Sequence, residues 1–564
     1  MVKISQLKQP FLGRNLLLFL LLFLALIIPR LLVLKQTITI DEPKWSIRSA
    51  NFGYAIEHQD FASTNQRGHP GVTIMWAGQM GLKLLFPEYN DLSKQNINAR
   101  EFKEIVQQNG YHFVNIFAGQ RAMVVLMNSV TLLIAFAYSK KLLGTLTSIV
   151  GFLLIAFSPF MAAHTKLMQL DGPSASFILL SLLAFLNYLK SQRRSALFVS
   201  GIVAGLAWLS RSPTLALIPA IGLILLLHMY QQVRNQNQAA KKMLSQTFVL
   251  FFIWLSLGIV TFVILWPAMW VSPMTALASV YGNIFKGTVT GHPRSDFFAG
   301  KLTEPGITHL PPYYYPVAYL WRSTPIVIMG LILSFISFWK KSRPYKEQFA
   351  RNTVWAFLIF AIIFTSVMAL SNKKQDRYLL PIYGPLMLIA AGGWVAFAYW
   401  IKQKLPVSEK YKYSGISLLI LIVLLQILSL VQVFPYYLSH YNIMLGGSEK
   451  APEVMQIGWG EGLDAAARYL NEKNDASTLR VATWYASSFA YFFDGQTISI
   501  SGNMNDTAKQ EIFNADYIVI YIHQWQRQLP KSLLNELESV QPEHTIWINR
   551  IPYVQIYKNP EREN

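Results

Sequence analysis

Up to about residue 433 the chain alternates apolar runs, most of them about 18 to 24 residues long, with short polar turns, and such a run carries an α-helix across roughly 30 Å of hydrocarbon. About eleven runs can be placed, at 11–34, 119–138, 146–163, 172–189, 196–210, 213–230, 247–268, 316–338, 352–370, 378–400 and 414–433. They lack the apolar–polar alternation of a β-barrel, and a helix satisfies its own backbone groups in lipid. The pattern predicts a mainly α, polytopic bundle. The run 11–34 is longer than a signal-peptide core and has no small-residue cleavage site before Asp41, so it reads as a retained span.

Composition agrees with lipid as part of the solvent. Of 564 residues, 53% are hydrophobic and 14% charged, too apolar for an ordinary soluble protein of this size. The formal charge of +20 gathers in clusters between apolar runs instead of along one soluble face, so no nucleic-acid partner is expected. With the amino terminus inside, the inner turns hold Lys140, Lys141, Lys190, Arg193, Arg194, Arg234, Lys241, Lys242, Lys340, Lys341, Lys402 and Lys404, which is the positive-inside pattern. Cysteine is absent, excluding disulfides, thiolate metal sites and cysteine nucleophiles.

This orientation puts three large segments outside: 35–118, 269–315 and 434–564. The first holds an amphipathic stretch at 72–86, expected to lie along the membrane interface. Beyond 433 a helix-like stretch at 461–471 and strand-like runs at 479–485, 517–522, 544–549 and 554–557 predict a small soluble α/β domain. The expected organisation is a membrane domain, 1–433, and an extracytoplasmic domain, 434–564.

Candidate chemistry sits at the outer ends of the spans. Asp41 and Glu42 follow the first span at once, and Pro43 disfavours helix at Glu42. A carboxylate there can take a proton from an acceptor hydroxyl or amine while phosphate leaves a sugar; the plain alternative is an acidic pair solvated at a helix end. Asp171, ahead of Gly172-Pro173, falls on the same side, where it either supports the base or favours the positive end of a helix dipole. Lys373, Lys374 and Arg377 stand outside against the charge rule and suit a lipid-linked phosphate or ordinary anionic lipid. Arg211 and Arg121 are further phosphate candidates that can instead snorkel to the interface. Glu42, His69 and His292 are candidates for holding a divalent cation, although no paired metal-ligand spacing appears.

Together these stretches resemble the GT-C superfamily of membrane glycosyltransferases, in particular the family 39 group that includes protein O-mannosyltransferases and the aminoarabinose transferase of lipid A. Asp41-Glu42 is similar to that family's first-loop acidic motif, Asp171 to its second acid, and Arg377-Tyr-Leu-Leu-Pro-Ile-Tyr383 to its late RYLLPIYP-like motif, with a departure at Gly384. Tyr436-Tyr-Leu-Ser-His-Tyr-Asn442 and Gly458-Trp-Gly-Glu-Gly462 resemble a prokaryotic subgroup. The resemblance implies an inverting transferase that moves a sugar from a polyprenyl-phosphate carrier to a lipid, glycan or protein acceptor, on the outer face of a cell inner membrane. It makes Asp41 the base, with Glu42 and Asp171 beside it, and gives the carrier phosphate to Lys373, Lys374, Arg377, Arg211 and Arg121. The competing expectations are a transporter or flippase of a lipid-linked sugar, whose sites usually lie near mid-membrane, and a catalytically silent scaffold.

Overall fold

The computed structural model describes residues 9–236, 240–289, 295–304, 310–405, 411, 413–500, 512 and 514–559. Among these, seven helices are long and apolar enough to cross a membrane: Phe113–Leu143, Asp171–Ser191, Ser212–Arg234, Lys241–Leu265, Gln348–Leu370, Asp376–Lys404 and Ser414–Val431. Two bent pairs follow the same composition, Thr145–Ala156 with Pro159–Lys166 and Tyr314–Arg322 with Pro325–Trp339, and two shorter apolar helices lie at Asn15–Leu31 and Arg194–Ser210. Every expected run falls on one of these elements. The protein is a multi-pass helical membrane protein with a small sheet in its C-terminal part.

Two expected spans, 146–163 and 316–338, are corrected, because each is broken, by 66° and 113° respectively. The cause is local. At each break a hydroxyl residue followed by proline starts a new helix, with Ser158 Oγ accepting from the Met161 N–H at 3.4 Å and Thr324 Oγ1 from the Val327 N–H at 3.4 Å. Arg30, buried in the bundle, serves the first break: its guanidinium donates to the Ala156 carbonyl at 3.1 Å and to Thr165 Oγ1 at 2.7 Å. At the second break Tyr314–Arg322 turns away from the span direction and ends on Arg322.

Asp171–Ser191 is the central helix, its apolar window buried throughout. It packs against Arg194–Ser210, Phe113–Leu143 and Leu380–Lys404. Leu380–Lys404 meets Pro325–Trp339 through glycine, since a Cβ on Gly393 would lie 2.1 Å from the Gly330 carbonyl oxygen. Small residues let two membrane helices close to backbone contact. Three of the turns assigned to one side meet: Lys190 Nζ donates to the Lys141 carbonyl at 2.6 Å and lies 3.8 Å from Glu347.

At the other end, segment 35–118 forms helices Glu42–Glu57, Val72–Leu85, Tyr89–Leu92 and Ala99–Gln108, and the next span starts at Phe113, six residues before its expected limit. Val72–Leu85 rests on Glu42–Glu57 with Val72, Ile74, Met75 and Leu82 buried and Met80 and Leu84 exposed, a two-faced helix as its sequence requires. In the C-terminal part, helix Leu463–Asn471 precedes a five-stranded sheet ordered 496–499, 480–483, 517–521, 551–558, 544–548. The first three strands run parallel, and 551–558 runs antiparallel to both of its neighbours, 517–521 and 544–548. Strand Gln496–Ser499, at an edge, has no counterpart in the sequence pattern.

This C-terminal part is tied to the helices beneath it. Thr37 Oγ1 donates to Asp464 at 3.3 Å, the Tyr436 hydroxyl donates to the same carboxylate at 3.1 Å, and the Tyr437 hydroxyl donates to the Pro29 carbonyl at 2.8 Å.

Candidate active site

Between the helix ends that carry Asp41 and Asp171 and the C-terminal part lies a cavity of about 450 Å³. Nine Lys and Arg side chains line it against five Asp and Glu, so its field favours an anion.

Asp41 stands at the start of helix Glu42–Glu57, 32% exposed, with Oδ1 3.7 Å from Lys44 Nζ and Oδ2 3.3 Å from Arg377 Nη2. Asp171 is buried at the start of the central helix, paired with Arg211 and 3.5 Å from Arg377 Nε. Arg377 thus bridges two carboxylates that are 130 residues apart in the sequence. Its guanidinium lies 3.8 Å from the Trp459 ring centroid, and that of Arg211 lies 3.9 Å from the Tyr378 ring centroid. Stacking and ion pairing fix both cations at the cavity wall. Lys373 also lines the cavity.

Glu42 and Arg121 do something else. Both are fully buried, Arg121 Nε meets Glu42 Oε1 at 2.7 Å, and Nη2 meets Oε2 at 2.6 Å. The remaining Arg121 donors go to the carbonyls of Leu34, Gln36 and Thr37, so all five N–H groups are engaged. The Glu42 oxygens also accept from the Thr39 and Met168 amides at 2.9 and 3.0 Å. Burial alone would raise the Glu42 pKa, but the Arg121 charge and these hydrogen bonds outweigh it and hold the carboxyl below its usual range. The expected roles of Arg121 in phosphate binding and of Glu42 in catalysis or metal binding are corrected: neither has a group left to offer. Lys374 is also mostly spent, buried with Nζ donating to the Ser371 carbonyl at 2.7 Å.

His69 lines the cavity among cations, and burial followed by the charges of Arg211, Arg67, Lys373 and Arg48 depresses its pKa to about 3. Those cations oppose a metal ion as they oppose a proton. His292 lies outside the described residues. Among the described residues no three His, Asp or Glu side chains group as a metal site. Neither Glu42 nor His69 fits the expected divalent cation.

Several lining residues escape sequence reasoning. Asp376 is paired with Arg322 at 2.6 Å and accepts from the Arg377 amide at 2.7 Å, orienting the loop that carries Arg377. Asp296 is pushed up to about 6 by burial, against the charges of Arg527 and Lys373. Lys44 and Arg48 were within reach, because they stand three and seven positions after Asp41 and so share a helix face with it. Trp459 and Glu461 lie in the Gly458–Gly462 motif, which the sequence marks without assigning it a place in the site, and Trp484 and His523, also from the C-terminal part, carry no local signal.

The fold is shared with the protein O-mannosyltransferase complex of S. cerevisiae bound to its sugar donor, at 9% identity over 77% of this chain and 91% of that one, with a TM-score of 0.51. The fold of this multi-pass membrane protein is therefore one that a membrane glycosyltransferase also has. Residues 113–270 match the family model described as dolichyl-phosphate-mannose-protein mannosyltransferase. Further similar structures are ArnT from Cupriavidus metallidurans bound to undecaprenyl phosphate (12% identity, 97% of this chain, 98% of that one, TM-score 0.47) and the archaeal oligosaccharyltransferase AglB from Archaeoglobus fulgidus with an inhibitory peptide and a dolichol-phosphate (13%, 97%, 74%, 0.46). No curated protein sequence matches the chain.

Proposed function

We propose that the protein transfers a sugar from a polyprenyl-phosphate carrier to a hydroxyl or amine of a lipid, glycan or protein acceptor, in the cavity at the extracytoplasmic face of a cell inner membrane. The observation that carries this reading is the bridge made by Arg377, which gathers Asp41, Asp171 and a cationic wall into one chamber. Asp41 is the base. It is the more exposed of the two acids, and its contacts to Lys44 and Arg377 are long enough to leave its oxygens accessible.

The acceptor gives its proton to the Asp41 carboxylate as its oxygen or nitrogen forms a bond to the anomeric carbon. The bond from that carbon to the phosphate oxygen breaks with its electron pair, leaving polyprenyl phosphate. Attack opposite the leaving group inverts the anomeric centre. Arg377, Arg211 and Lys373 stabilise the charge that builds on the phosphate, and their fixed positions spare reorganisation during the step. Asp171 positions Arg211 and Arg377.

The test is transfer of radiolabel from a panel of undecaprenyl-phosphate sugars by the purified protein in lipid. The expected result is Asp41-dependent transfer of at least one sugar. Counterflow of intact lipid-linked sugar with no covalent transfer would overturn the proposal in favour of a transporter.

A further inference from the structure

The segment Gly458-Trp-Gly-Glu-Gly462 is unaccounted for by phosphate binding or by base catalysis. All three of its glycines have positive φ, +89°, +119° and +86°, a backbone closed to ordinary side chains. A Cβ at Gly460 would stand 3.0 Å from the Ile38 carbonyl oxygen, and one at Gly458 would stand 2.4 Å from the Tyr521 hydroxyl. The loop is therefore pressed between the segment leading to Asp41 and the sheet. Its two remaining residues, Trp459 and Glu461, both line the cavity.

Glu461 is 3% exposed. Oε2 accepts from the Trp459 amide at 2.6 Å and from the Tyr521 hydroxyl at 3.0 Å. Oε1 is buried without a hydrogen-bond partner. A buried carboxylate oxygen left unpaired is costly unless a ligand satisfies it. Both ring nitrogens of His164, another buried lining residue, are also unpartnered. Trp459, Trp484 and Tyr485 add aromatic surface to this wall, and Gln456 and His523 add polar atoms. An aromatic wall with scattered buried acceptors suits a ring that is apolar on its faces and hydroxylated at its edge.

We propose that the 458–462 loop forms a sugar subsite in which Glu461 Oε1 accepts a hydrogen bond from a ring hydroxyl. This rests on the transferase reading and deepens it by assigning sugar selection to the C-terminal part. The ring belongs either to the lipid-linked donor or to a glycan acceptor. In both cases the chemistry at Glu461 is the same.

Glu461→Gln is the discriminating variant. Its carbonyl oxygen can keep the Trp459 and Tyr521 hydrogen bonds while its amide nitrogen takes the Oε1 position, turning an acceptor into a donor. Binding of undecaprenyl phosphate and of an undecaprenyl-phosphate sugar found active with the wild type is measured by native mass spectrometry, alongside transfer kinetics. If the donor ring occupies the subsite, the variant binds the bare carrier as the wild type does and binds the lipid-linked sugar about tenfold or more weakly, as expected for a lost hydrogen bond to a charged group. If the acceptor ring occupies it, both lipids bind normally and the acceptor KM rises about tenfold. Wild-type behaviour in all three measurements overturns the subsite, and so does equal loss of bare-carrier binding, which marks a structural role. A wild-type protein that transfers no sugar and binds neither lipid overturns the transferase reading itself, an outcome visible before the variant is made.

Discussion

Arg121 and Glu42 form a doubly hydrogen-bonded pair with no exposure to solvent, and through it the loop from Leu34 to Thr39 is anchored to the span that begins at Phe113. The neighbouring Asp41 is held in place by residues that do not themselves line the cavity. Removing one partner strands a buried charge, which costs about 3–5 kcal/mol. Arg121→Ala is expected to lower the unfolding temperature in detergent markedly, and Arg121→Lys to rescue little, because a single ammonium cannot reproduce five directed donors. A thermal scan that leaves Arg121→Ala unchanged would contradict this account.

Asp41 presents the opposite case. It is partly exposed and makes only long ion pairs, so Asp41→Asn is expected to leave the unfolding temperature within error of the wild type. Loss of a general base typically costs 10²–10⁴-fold, and a kcat reduction of about that size with unaltered affinity for bare carrier is the predicted outcome. Single-turnover assays with labelled donor measure it.

Arg377 reaches both Asp41 and Asp171 because its guanidinium is planar and forked. Arg377→Lys keeps the charge but cannot span the two acids or stack on Trp459 as well. The expected result is carrier binding weakened by about tenfold or more, with Arg211→Lys behaving similarly through its lost contacts to Asp171 and Tyr378. Titration with undecaprenyl phosphate reads the difference, and equal affinity in the Lys variants would remove these arginines from the phosphate site.

His69 supplies a pH signature. Its pKa falls from an ordinary 6.5 to about 3 in the folded protein, so between those values the unfolded chain binds a proton that the folded one does not. Folding stability is therefore complete above about 6.5 and declines as pH falls through that window. His69→Gln should flatten this limb of a stability–pH profile, and an unchanged slope would show that His69 is not kept neutral.

The membrane bundle was legible because its signal is long and repetitive: each apolar run is a helix whatever its neighbours do. The breaks at 158–159 and 324–325 were also written locally, as Ser-Pro and Thr-Pro inside apolar runs, and reading those pairs as helix starts would have found them. The site divided differently. Asp41, Asp171, Arg211, Arg377 and Lys373 were picked out because charge at a span end is conspicuous, and all of them line one cavity. Charge alone does not distinguish a cation that waits for a ligand from one already satisfied, which is why Arg121 and Glu42 were misjudged. Their partners are backbone carbonyls and amides brought in by folding. Asp376 was missed, and the motif that holds Glu461 was left without a place in the site, for a related reason: what matters is the wall they join, and no sequence spacing encodes it.

Thr37 and Asp464, in hydrogen-bond contact, are 427 positions apart, and the Gly460 turn closes over Ile38. The floor of the chamber is thus synthesised 427 residues before the part of the roof that it touches. Until that later stretch is made, the chamber has no roof. The chamber is complete only once the later segment has docked on the earlier one, so whatever needs the closed cavity waits for synthesis past Asp464.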